Sequence, residues 1–351
     1  MRKIAWISAS MGGRGDELAN PETKKLLSKL EKHGITIEVA KDTSFERYGK
    51  AQSFVLKIEK EGPEWIEPDQ DVMDKIKDAE VIVTNFSGVN SKMINSAPQL
   101  KLIGVMRSGV ENVSIAAAKA KGVTVINCPG RLADPVADFT VGLLLAEVRN
   151  ITRLATSLSQ GTWPGFGNMD QATSILRNHT AGIVGFGIIG KQVATRLAAF
   201  GTNIVAYDPF CTKEDAAKYN AELLPLEELL KRSDYVLMHA RLSEETKNLL
   251  GEKEFALMKP TAIFVNTARA GLVDEGALIK ALQEKRIRSA ALDVFVQEPL
   301  PADHPFYKLD NVTLTPHRAG ATVDTGLISM AMIVDQLDTY FAGERLVNAI
   351  K

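Results

Sequence analysis

The chain has 351 residues, 45% of them apolar and 24% charged, which argues for two globular domains, because one hydrophobic core rarely grows past about 250–300 residues. Its 42 basic and 43 acidic side chains leave a formal net charge of -1, with no basic excess to hold nucleic acid or an anionic membrane. No apolar stretch reaches the roughly 20 residues of a membrane span, and the N-terminal run is too short for a secretory signal before it dissolves into Met11 to Asp16.

Short β-branched runs, each followed by a helical pattern and a Gly or Pro stop, predict parallel α/β architecture. In the first half the strands fall at Ile4–Ser8, Ile35–Val39, Val81–Thr84, Leu102–Met106 and Val123–Ile126. Asn20 and Pro21 open a helix between the first two, and Gly34 closes it. From Lys41 to Pro68 the period is lost and charges alternate with Phe45, Tyr48, Phe54 and Trp65, so this segment reads as an insertion with one helix. Asp134-Pro135 opens the longest helical pattern, Val136 to about Leu158, a length suited to a connection between domains. A loop rich in Gly, Thr, Trp and Asn follows, Gly161 to Asp170. Six further strands are expected at Thr180–Val184, Ile204–Tyr207, Tyr235–Met238, Ile263–Asn266, Ala290–Leu292 and Val312–Leu314, and a last helix from Ala321 to about Phe341. Cys128 and Cys211 are the only cysteines. Their spacing suits neither a disulfide framework nor a structural metal, and points to a reducing cytoplasm.

One motif carries specific chemistry. Gly185, Gly187 and Gly190 fit G-x-G-x-x-G between a predicted strand and a predicted helix. The first permits a tight turn, the second lets a pyrophosphate reach the backbone, and the third lets the helix lie close on the strand. The helix N-terminus then offers free N–H groups to phosphate oxygens. Asp208 ends the next strand, where a carboxylate binds ribose hydroxyls and repels a 2′-phosphate, favouring NAD over NADP.

Three later strands each place an ionisable residue just past their end, where open α/β sheets bind ligands. These are Arg269 in Asn266-Thr267-Ala268-Arg269-Ala270-Gly271, Glu298 in Asp293-Val294-Phe295-Val296-Gln297-Glu298-Pro299, and His317 in Leu314-Thr315-Pro316-His317-Arg318-Ala319-Gly320. With Arg107-Ser108-Gly109-Val110-Glu111-Asn112 and Ala137-Asp138-Phe139-Thr140-Val141-Gly142, the chain resembles the D-isomer-specific 2-hydroxyacid dehydrogenases over nearly its whole length. Asn127-Cys128-Pro129-Gly130-Arg131 brings it closest to the phosphoglycerate dehydrogenase-like branch, here without room for a regulatory domain.

The resemblance implies two doubly wound parallel-sheet domains of α/β class, with the active site in the cleft between them. One is a flavodoxin-like substrate domain, residues 1–128 plus 320–351, and the other an inserted Rossmann NAD-binding domain, 129–319. It implies a cytoplasmic oxidoreductase, acting as a homodimer, that interconverts a D-2-hydroxyacid and its 2-oxoacid of phosphoglycerate, hydroxypyruvate or glyoxylate type. His317 is then the acid at the carbonyl oxygen. Glu298 stabilises the imidazolium and fixes the tautomer, and Arg269 clamps the substrate carboxylate. The backbone of Ser108, Gly109 and Val110 also meets that carboxylate; if the substrate carries a phosphate, a cation must meet it, and Arg107, Lys92 and Arg318 are the candidates in the sequence. Ile188, Ile189, Thr267, Ala268, Asp293 and Gly320 join the glycines beside NAD. No metal is implied. Two alternatives stay open: an NAD(H)-sensing corepressor of the same fold, and a formate dehydrogenase-like enzyme, in which the Glu298–His317 pair would have no task. The family often has Pro after the strand that here ends His239-Ala240-Arg241, and the segment Lys41–Pro68 is longer than the resemblance leads one to expect.

Overall fold

The computed structural model describes residues 2–9, 18, 20–48, 51–164 and 175–350. The glycine-rich turn Met11 to Asp16 and the second part of the loop ending at Asp170 lie outside the described residues. The chain divides into two compact units, Met1–Arg131 with Val323–Lys351, and Leu132–Thr322.

In the first unit the strands are β1 (Arg2–Ala9), β2 (Ile35–Asp42), β3 (Val81–Thr84), β4 (Leu102–Val105) and β5 (Thr124–Ile126). The second unit holds β6 (Thr180–Val184), β7 (Asn203–Tyr207), β8 (Ala221–Leu223), β9 (Tyr235–Met238), β10 (Ile263–Asn266), β11 (Ser289–Leu292) and β12 (Val312–Leu314), and β13 (Ala349–Ile350) returns to the first. The first sheet runs β13-β5-β4-β3-β1-β2. Its five long-range strands are parallel in flavodoxin order, and β13 adds antiparallel to β5 through Ala349 opposite Ile126. The second runs β12-β11-β10-β9-β6-β7-β8, the dinucleotide-binding order with one strand more.

Both faces of each sheet are covered, as parallel strands require. In the first unit Ile82, Ile103 and Val105 pack under Met93 and Ala118 on one side. On the other, Ile4, Trp6, Val81 and Val83 pack against Met330, Ile333 and Leu337 of the helix Thr325–Phe341. The opening helix Pro21–Leu27 is capped as its sequence predicts, Glu22 N–H donating to Asn20 Oδ1 at 2.9 Å, and tightens into a 3-10 turn, Ser28–His33, before Gly34.

Three expectations need correction. The 41–68 segment forms two helices, Ser44–Tyr48 and Ala51–Glu61, because Phe45, Phe54, Ile58 and Ile66 bury one another in a small core of their own. The predicted Val136–Leu158 helix is two helices, Ala133–Val148 and Ile151–Ser159. Asn150 breaks it at φ 52°, a left-handed conformation that Asn adopts more readily than other side chains. Nor is the first of these a connector: Ala137, Val141, Leu144 and Val148 belong to the second unit's core, with Val193 and Leu197 of the helix Ile188–Ala199.

Candidate active site

The second sheet reverses direction of winding between β6 and β9, the switch point where such sheets bind ligands. Past β6, Gly185 takes φ +94°, and a Cβ there would lie 2.3 Å from Ala240 N, just beyond β9. The two loops therefore meet backbone to backbone, which only glycine permits. Gly190 is equally required, since its Cβ would lie 2.3 Å from Gly185 O. Gly187 differs: a Cβ there would meet nothing within 4 Å. It is also the N-cap of the helix Ile188–Ala199 and makes no side-chain cap bond to the first turn.

Asp208 stands beside this turn. Its Oδ2 accepts from Phe186 N–H and its Oδ1 from Phe210 N–H, both at 2.8 Å. Each oxygen keeps a lone pair for a further donor. Ile188 and Phe210 expose their apolar side chains next to it, Phe210 at 94%. The two ring nitrogens of His239 are buried without a hydrogen-bond partner among the described residues, and burial pushes its pKa down to about 4, so the ring is neutral. A glycine turn leading into a helix N-terminus, a carboxylate beside it and two bare apolar side chains fit a dinucleotide.

The catalytic candidates follow β10, β11 and β12, which are hydrogen-bonded neighbours. His317 Nδ1 lies 2.8 Å from Glu298 Oε2. Glu298 is itself fixed by Phe295 N–H, which donates to Oε1 at 3.0 Å. With Nδ1 on Glu298, Nε2 is the imidazole nitrogen left for a substrate. His317 is held at φ 54°, strain of the kind that persists only where surrounding structure over-determines it.

That surrounding structure is Asp293. Fully buried at 0% exposure, it accepts from Thr315 Oγ1 at 2.6 Å, Arg318 N–H at 2.9 Å and Ala319 N–H at 2.8 Å. Its bonds thus go chiefly to the His317 segment, a bracing role that the sequence does not announce for it or for Thr315. Asn266 was also missed: its Oδ1 accepts from Ala268 N–H at 3.0 Å and its Nδ2 donates to Arg269 O at 3.1 Å. An Asn two residues before a loop N–H is the signature of an Asx turn, and that was readable. Thr267 is buried, with Oγ1 2.7 Å from Thr140 Oγ1. Arg269 is exposed and donates to Ala268 O at 2.8 Å, and among the described residues no carboxylate pairs with it.

In the first unit, Ser108 Oγ donates to Cys128 O at 3.1 Å and Asn127 Nδ2 to Ser108 O at 2.5 Å, tying the loops after β4 and β5. Glu111 folds over Gly109, where a Cβ would lie 2.1 Å from its Oε2. Arg107 is buried against Glu59 at 2.5 Å. Lys92 pairs with Glu67 at 2.5 Å on the surface. Burial pushes the Cys128 thiol up to about 12, which leaves it unreactive at neutral pH.

A sequence model of the D-isomer specific 2-hydroxyacid dehydrogenase NAD binding domain matches residues 141–319. The chain belongs to the D-isomer specific 2-hydroxyacid dehydrogenase family. Over 285 residues it is 41% identical to the D-3-phosphoglycerate dehydrogenase of Methanocaldococcus jannaschii, a match covering 80% of this chain and 53% of that protein. It thus spans about half the length of that relative. It is 36% identical over 281 residues to the glyoxylate reductase of Korarchaeum cryptofilum, covering 80% of this chain and 85% of that one. Its fold is that of the D-isomer specific 2-hydroxyacid dehydrogenase from Lactobacillus delbrueckii ssp. bulgaricus solved in its NAD complexed form, with a TM-score of 0.76 at 23% identity over 99% of this chain and 100% of the other. The family, the α/β fold and NAD as the dehydrogenase's cofactor, all expected from the sequence, are borne out.

Proposed function

We propose that this dehydrogenase interconverts a D-2-hydroxyacid and its 2-oxoacid, with His317 giving and taking the proton at the substrate oxygen. The 2.8 Å contact between His317 Nδ1 and Glu298 Oε2 carries the reading. It fixes which nitrogen faces outward, and places a carboxylate where an imidazolium forms when the ring holds the proton. NADH, when bound, supplies the hydride. Arg269, exposed and without a carboxylate of its own among the described residues, takes the substrate carboxylate in a forked geometry and polarises the adjacent carbonyl. Ser108, Gly109 and Val110 serve the same carboxylate, and Arg107 the substrate tail. On the cofactor side, Gly185, Gly187, Gly190, Ile188 and Ile189 take the pyrophosphate end and Asp208 the ribose. Thr267, Ala268, Asp293 and Gly320 complete that assignment, Asp293 chiefly by setting the position of His317.

The substrate domain in this reading is 1–128 with 320–351, and the NAD-binding domain 129–319. A homodimer is supported by the exposed apolar stripe Ile151, Leu154 and Leu158 and by Trp163, 80% exposed. Two free thiols support a cytoplasmic setting.

The deciding measurement is NADH oxidation with glyoxylate, hydroxypyruvate and phosphohydroxypyruvate. His317→Ala should lower kcat/KM roughly 10²–10⁴-fold, the usual worth of a positioned acid. Tight NADH binding with no turnover of any of the three would favour an NAD(H)-sensing role, and NAD reduction by formate would favour the third reading.

A further inference from the structure

The first unit carries a charge imbalance that the proton chemistry leaves unused. β4 and β5 are adjacent and parallel, and each delivers an arginine past its carboxyl end, Arg107 and Arg131. The two loops form one ledge, since Cys128 N–H donates to Arg107 O at 2.9 Å and Ser108 Oγ to Cys128 O at 3.1 Å. Arg107 is only 8% exposed. Its guanidinium lies over the Phe86 ring, 5.3 Å from the centroid, and Phe86 follows β3, so the cation leans toward the switch point of this sheet. Nη2 pairs with Glu59, whereas Nη1 is buried with no hydrogen-bond partner among the described residues. Arg131 donates from Nη1 to Ser329 Oγ at 3.2 Å, and its Nε is likewise buried and unpartnered.

Burial first, and then the positive charge of Arg107, push the Arg131 guanidinium down to about 10. Among the described residues, Glu59 is the one carboxylate that forms an ion pair with either of these neighbouring cations, and it pairs with Arg107. Buried charges are normally paired, and buried N–H groups normally hydrogen-bonded. The charge that would complete this cluster is negative, and it would have to accept hydrogen bonds from both orphaned donors.

We infer that Arg131 acts with Arg107 as a specificity-determining pair that holds a second anionic group, a phosphate or carboxylate at the far end of the 2-oxoacid. The inference rests on the reading of residues 107–110 as substrate-binding. Ser329, on the helix Thr325–Phe341, positions Arg131 for that task. Glu59, on the helix Ala51–Glu61, pairs with Arg107, and among the described residues no second carboxylate forms an ion pair with the two arginines.

The test compares kcat/KM within matched pairs: phosphohydroxypyruvate against hydroxypyruvate, and 2-oxoglutarate against 2-oxopentanoate. In the wild type one pair should favour the anionic tail by tenfold or more, and which pair does so tells phosphate from carboxylate. Arg131→Met should cut that preference at least tenfold, in line with loss of a hydrogen bond to a charged group, and Arg131→Lys should restore part of it. A second readout needs no turnover. Inorganic phosphate and 3-phosphoglycerate, or malonate for a carboxylate tail, should raise the Tm of the wild type and leave that of Arg131→Met unmoved. A preference and a Tm shift that survive in Arg131→Met overturn the inference. So does a variant whose Tm drops while its substrate ratio holds, since the arginine is then structural. If no oxoacid is turned over, the dehydrogenase reading fails, and the Tm shifts still decide the anion site.

Discussion

The carboxylate of Asp293 accepts the Thr315 hydroxyl at 2.6 Å, and through this bond and its two backbone partners the strand end β11 dictates where His317 stands. Asp293→Ala strands the buried N–H of Ala319 and the half-buried N–H of Arg318. The expected loss is about 2–4 kcal/mol of stability in urea denaturation. Thr315→Val removes one bond and should cost about 1 kcal/mol. Because both changes release His317, kcat should fall further than KM changes, and equal effects on the two constants would argue that the segment is fixed by something else.

The glycines of the phosphate turn separate fold from binding. Gly187→Ala points its methyl into open space, so Tm should stay within about 2 °C of the wild type, while NADH titrated by fluorescence should bind at least tenfold more weakly. Gly185→Ala meets both a positive φ and the Ala240 backbone, and should cost about 2–4 kcal/mol.

The first unit should show its own acid sensitivity. Glu80 takes a forked pair of bonds from Arg2, at 2.9 and 3.1 Å, and one from Tyr340 at 2.9 Å. The bond from Arg2, above all, holds its carboxyl below the ordinary 4.5, against the opposing effect of burial. A carboxyl depressed in the folded state contributes stability that is full above its unfolded value and is lost as pH falls through the folded one. The stability gap between wild type and Glu80→Gln should therefore be constant from pH 7 to about 5 and close below pH 4.5. A gap that persists to pH 2 would show that the pair contributes packing alone.

In the second unit Glu147 is fully buried at 0% exposure, receives Arg153 at 3.1 Å and is bonded by Thr313 of β12. Glu147→Ala leaves the partners of a buried charge unmet and should cost about 3–5 kcal/mol by chemical denaturation. Glu147→Leu, which refills the volume, should recover part of that loss only if Arg153 can swing to solvent. A double-mutant cycle with Arg153→Ala measures this directly.

Parallel strands with a buried, β-branched interior declare themselves, so eleven of the strands and the glycine turn were legible from the residues. What escaped detection was short or depended on distant partners. β8 has three residues and β13 two, and their existence depends on the edge strand beside them. The break at Asn150 was hidden because Ile151, Leu154 and Leu158 continue the apolar period of the preceding helix. Periodicity reports a stripe without saying which way it faces, and here it faces outward. At the site, residue types that do chemistry were visible by their position after strands. Of their braces, Asn266 was readable as an Asx turn, whereas Asp293 and Thr315 were not, because a brace of that kind is defined by what it touches. Arg131 was hidden for the same reason: its meaning lies in an unpaired nitrogen beside another arginine.

The helix Thr325–Phe341 and β13 close a sheet whose other strands end some two hundred residues earlier in the chain. During synthesis, the ribosome releases all of 132–322 before the segment that covers Ile4, Trp6, Val81 and Val83 exists. The second unit is contiguous and is free to fold as it emerges, whereas the first must wait with one apolar sheet face covered only in part, by Leu26, Leu27 and Leu30, the condition under which nascent chains aggregate or engage chaperones. The part of this protein that is read first is the part that is finished last.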